Sequence, residues 1–149
     1  MPEIEYMLLA DHAEAADGKL NVIGAGWTDQ WRAPRPETNP PPITHFGIGV
    51  SVLIPWTETN RRHHLVLRIE DEDGGAVGNV EADLEMGRPA GLPAGSDQRA
   101  VLALNADVQF PHPGGWRVVA QLGDQTKTVS FRIHDQLLQS ASGPREGPV

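Results

Sequence analysis

The stretch His45-Phe46-Gly47-Ile48-Gly49-Val50-Ser51-Val52-Leu53-Ile54 decides the fold. In an extended chain, Phe46, Ile48, Val50, Val52 and Ile54 share one face, and His45, Gly47, Gly49, Ser51 and Leu53 share the other. That period of two is strand geometry. A helix would scatter the five apolar side chains around its circumference, and each glycine would cost it about 1 kcal/mol.

The same alternation recurs outward in both directions. Toward the N-terminus it marks Tyr6 to Asp11 and Leu20 to Ala25. Toward the C-terminus it marks Leu65 to Glu70, Val80 to Met86, Leu102 to Phe110, Trp116 to Leu122 and Val129 to His134. Asp17-Gly18, Asp73-Gly74-Gly75 and Gly123-Asp124-Gln125 separate successive segments with residues that tolerate positive φ, as hairpin turns require. The pattern predicts an all-β domain, an antiparallel β-sandwich of about eight strands, immunoglobulin-like or similar, over residues 1–135. Ala13 to Ala16 reads as the end of the first strand. Thr28 to Ile43, with five prolines, and Gly87 to Gln98 read as long connections. The residues from 136 to 149 read as a flexible tail.

Composition narrows the function. The net charge of −8 opposes binding to nucleic acid, which needs a basic footprint to displace counterions, and opposes an electrostatic membrane anchor. Without cysteine there is no disulfide scaffold, thiolate metal site or thiol nucleophile. The first residues carry acids and no base, and the apolar run Tyr6 to Ala10 is too short for a signal sequence or a membrane span. A cytoplasmic protein is expected.

Motifs of chemistry are missing. Asp11-His12 and His63-His64 are adjacent pairs that a strand sends to opposite faces, so neither pair ligates one metal. Asp71 and Asp73 alternate before Gly74 as in a calcium loop, but the position that needs a bidentate Glu is Ala82. No serine lies in Gly-x-Ser-x-Gly. Gly24-Ala25-Gly26 lacks the third glycine of a dinucleotide fingerprint. No catalytic residue, metal ligand or cofactor is assigned. A metal-dependent enzyme built on His45, His63 and carboxylates is the third-ranked reading.

The tryptophans carry more. Trp116 alternates with Val118 and reads as core, and Trp27 as core or lid. Trp31 and Trp56 sit beside charge in expected loops, and Trp31, Arg32 and Arg35 form an aromatic-plus-guanidinium set suited to an interface. With Lys19 and Lys127 as the only lysines, open sheet edges are poorly blunted. The expectation is a non-enzymatic interaction or assembly module, a homo-oligomer or a binder of a protein partner. A sandwich binding a carbohydrate-like ligand through Trp31 and Trp56 is the alternative.

Leu8-Leu9-Ala10-Asp11, Asp17-Gly18-Lys19-Leu20 and Gly24-Ala25-Gly26-Trp27 resemble an uncharacterised family of small bacterial proteins, a domain of unknown function. Pro113-Gly114-Gly115-Trp116-Arg117-Val118 is similar to that family's penultimate strand and to turns of immunoglobulin-like sandwiches. The resemblance spans most of residues 4–134. It implies the fold and a soluble state, and it supplies no activity or site residue.

Overall fold

The alternating stretch forms β5 (Thr44–Ile54), the middle strand of a three-stranded antiparallel sheet between β1 (Glu3–Ala10) and β8 (Gln98–Val108). The computed structural model describes residues 1–138 and is all-β, with one short 3-10 helix, Trp56–Glu58. A five-stranded sheet runs in the order β4 (Asp29–Pro36), β10 (Gln125–Leu138), β9 (Gly114–Leu122), β6 (His63–Asp71), β7 (Ala76–Leu84). A separate hairpin pairs β2 (His12–Ala16) with β3 (Lys19–Ile23). Among the described residues, no helix is long and apolar enough to cross a membrane.

Both larger sheets supply one hydrophobic core. The three-stranded sheet contributes Phe46, Ile48, Val50, Val52 and Ile54, all at most 1 % exposed. The five-stranded sheet contributes Leu65, Leu67, Ile69, Trp116, Val118, Phe131 and Ile133. Each such aliphatic or aromatic side chain contributes roughly 1.5–3 kcal/mol of burial free energy. At one end Phe46, Phe110, Phe131 and Trp27 meet edge to face, tilted or stacked, with centroids 5.7–6.2 Å apart.

The middle of the polar-looking face of β5, Gly47 to Ser51, is buried too, by a different device. The β2–β3 hairpin folds over it as a third layer. A Cβ added to Gly47 would sit 2.7 Å from the Ala13 backbone nitrogen, and one on Gly49 would sit 2.7 Å from Leu20 Cδ2. These glycines let the hairpin backbone approach where a side chain would hold it off. Asn105 on β8 fixes it: its Oδ1 accepts from Ala13 N–H at 3.0 Å and its Nδ2 donates to Ala13 C=O at 2.8 Å.

Four expectations need correction. Ten strands stand where about eight were read. Ala13 to Ala16 does not finish the first strand: the chain breaks at Asp11, whose N–H bonds back to Ile23 and Gly24, and β2 begins anew. Thr28 to Ile43 is not strandless, because it contains β4, and β4 pairs with β10 in parallel, so the sheet is mixed. Finally, β10 carries the chain through Leu138, beyond the expected boundary at 135. The rest of the expected tail, residues 139–149, lies outside the described residues.

Candidate functional site

Alternation along β4 sends neighbouring residues to opposite sides. Trp31 stands outward and is 63 % exposed, while Arg32 points inward and is 4 % exposed. Arg32 Nε donates to Asp135 Oδ1 at 2.5 Å, Nη2 to Oδ2 at 2.8 Å, and Nη1 to the Phe110 carbonyl at 2.6 Å. Arg35 Nη2 reaches the same carboxylate at 3.4 Å, and its Nη1 donates to the Asn39 carbonyl. This bidentate pair closes one end of the core. Arg32 therefore belongs to the fold and cannot present itself to a partner, and Arg35 is largely committed as well. Of the expected set, Trp31 alone remains offered to solvent.

Trp31 has an aromatic partner. Its ring stacks on His134, with centroids 4.1 Å apart and planes 16° from parallel. His134 Nε2 donates to Asp29 Oδ1 at 2.7 Å. Arg132 donates to both oxygens of Asp29 at 2.7 and 3.1 Å, and Thr28 Oγ1 donates to Oδ2 at 2.7 Å. Arg132, with His134 and Thr28 adding further donors, holds the Asp29 carboxyl far below the usual carboxylate range. The register explains the assembly: Asp29 lies beside Arg132, and Trp31 beside His134. Four donors fill the acceptor positions of Asp29. The result is an exposed indole on a saturated polar base.

Trp56 is elsewhere. It lies in the 3-10 helix just before β6, beside the end where Leu65 pairs with Leu122. Trp31 lies past Gly114 at the other end of β9, about 26 Å away at strand rise. The structure does not bring Trp31 and Trp56 together, so they form no joint carbohydrate platform. Trp56 instead serves as a clamp. The Arg88 guanidinium carbon sits 4.1 Å from its ring centroid, and Arg88 donates to Trp56 C=O and Thr59 Oγ1 at 2.7 Å each. This pins the connection after β7.

A second histidine cluster was not singled out by sequence reasoning. The His112 ring stacks on Trp116 at 4.7 Å, its Nε2 meets Asp71 Oδ2 at 3.1 Å, and its Nδ1 contacts the Pro113 carbonyl at 2.8 Å. The Pro113 carbonyl, then Asp71, push the His112 pKa up. Glycine at 75 and the histidine together hold the Asp71 carboxyl down. The contacts tie the β6–β7 turn to the approach to β9, and no donor is left pointing at a common centre.

His45 on β5 and His63 on β6 fall on different sheets, so strand pairing does not bring them together. His45 Nδ1 pairs with Asp107 at 2.7 Å, and His63 Nε2 with the Glu58 carbonyl at 2.8 Å. Among the described residues, no group of three or more His, Asp or Glu is placed to hold a metal ion.

In comparison with protein families, the model of a family of unknown function, DUF6941, matches residues 5–134. A search of the curated proteins found no match.

Proposed function

The chain belongs to the family of unknown function DUF6941, and we propose that it is a non-enzymatic interaction module that docks a protein partner on the outer face of β4 and β10. One observation carries this reading: Trp31 is a large exposed aromatic held in a fixed orientation by His134. A pre-stacked ring loses little conformational entropy on binding, which is what an interface anchor needs. The chemistry around it favours protein over sugar. A carbohydrate site needs free donors and acceptors for hydroxyl groups, and Asp29 has its acceptors occupied by Arg132, His134 and Thr28.

The test places a photoreactive side chain at Ser130, exposed on this face, and cross-links in cells. Discrete protein adducts are expected, and Trp31→Ala should abolish them while costing the fold at most about 1 kcal/mol. Unchanged adducts in W31A would overturn the reading. Trp31-dependent signals on a glycan array would replace it with the carbohydrate alternative.

A further inference from the structure

The two larger sheets end in four edge strands, and three of them carry devices that discourage pairing. β4 contains Pro34 and Pro36. β7 contains Gly78, Glu81 and Asp83, and its register with β6 shifts at a bulge between Ile69 and Glu70. β1 has a register shift between Ile4 and Tyr6, its Leu9 carbonyl accepts from Gly26 N–H, and its Ile4 N–H donates to the Gln125 side chain. β8 carries two charges, Arg99 and Asp107, but none of the other devices. It runs eleven residues in unbroken register along β5, with no proline, glycine or lysine. Apart from its ladder with β5, no backbone–backbone hydrogen bond reaches it among the described residues. The β2–β3 hairpin packs over one face of β8, through Asn105 and beside Arg99 to Val101, but a long, regular edge whose outward backbone groups have no strand partner is a template for another strand.

We infer that β8 is the self-association edge of this protein, and that two copies pair β8 with β8, antiparallel, about a two-fold axis at Ala103. The sequence of the strand selects that register. Arg99 and Asp107 lie on the same face, four residues either side of Ala103. With the axis there, Arg99 stands opposite Asp107 of the partner subunit, and Asp107 opposite Arg99 of the partner subunit. Both side chains are more than 60 % exposed, so each can take a further partner beside Glu5 and His45. On the core-facing side, Leu104 stands opposite Leu102 of the partner subunit. A cleft of about 240 Å³ opens along this edge between the sheets, lined by the apolar Ile48, Leu67, Leu104 and Val108 and by the polar Asn79 and Asp107. Pairing places the partner's apolar row beside that opening. One copy's edge thus supplies both the charge pattern and the apolar cover that the other lacks. An isologous pairing of this kind closes on itself and leaves no free β8.

The chain has no cysteine, so single introduced cysteines report unambiguously. Facing residues of an antiparallel pair have Cα atoms about 4.5–5.5 Å apart, within disulfide range. Under mild oxidation Ala103→Cys should form a covalent dimer, whereas Val101→Cys, which would face Asn105 of the partner subunit, should not. By sedimentation the wild type should have twice the 16.1 kDa chain mass at tens of micromolar. R99D and D107R should each shift it to monomer, and the double exchange R99D/D107R should restore the dimer. A monomeric wild type overturns the inference. So does a dimer in which V101C cross-links better than A103C, or one indifferent to both single charge changes. W31A leaves this dimer intact, so failure here is separable from failure of the Trp31 reading.

Discussion

Strand β5 lies between two neighbours and sends five apolar side chains into the core, whereas β4 has one neighbour, two prolines and an arginine as its inward anchor. β5 is stabilised by area removed from water, which needs no particular partner atom. β4 depends on one carboxylate, Asp135, standing beside Arg32. A strand of the first kind tolerates small adjustments in its surroundings. A strand of the second kind is secure only while its charges are paired, because a buried charge left alone is costly.

The largest effect should come from breaking β5. Val50→Asp places an unpaired carboxylate where Val50 is 0 % exposed and should cost about 4 kcal/mol or more. Loss of the cooperative urea transition is the expected result, and a soluble V50D protein with a normal transition would mean that the faces of β5 are reversed. Next comes Arg32→Ala, which strands Asp135 with only Arg35 nearby. A loss of about 3 kcal/mol is expected, with hydrogen-exchange protection falling at residues 29–36 first. Equal protection in wild type and R32A would show that pairing with β10 holds β4 without the ion pair.

The gentlest probe is acid. The native Asp29 carboxyl titrates below the 3.8 of an unfolded chain, chiefly because Arg132 donates to it. Its contribution is therefore complete above about pH 4 and is lost as the pH falls toward the native value. Amide protection on β4 should decline through that window while β5, anchored by apolar contacts, keeps its own. Parallel decline of the two strands would remove the distinction between them.

The same contrast explains what could be read in advance. β5, β6 and β9 are legible because their inward rows, Phe46 to Ile54, Leu65 to Ile69 and Trp116 to Leu122, are apolar and keep a period of two. In Asp29-Gln30-Trp31-Arg32-Ala33-Pro34 the inward residue is charged and the exposed one aromatic, which inverts the pattern. The information that turns Arg32 inward is Asp135, 103 residues away, and no local window contains it. Trp31 was singled out because charge flanks it, as charge flanks Trp56, whose ring is instead engaged by Arg88. His134 and Asp29, which fix its orientation, were not, since only the parallel register brings them beside it. Likewise nothing local to Gly47 and Gly49 says that residues 12–23 pack against them.

The glycine track under the hairpin also sets an order in time. The β2–β3 hairpin is local and can form in about 1–10 μs. Its seat, with Gly47 paired against Asn105, requires strands far apart in sequence to have met. Until they do, the hairpin has neither the glycine surface nor the Asn105 amide to settle on. The outermost layer of the protein is thus completed late, although its residues leave the ribosome before the strands that receive them.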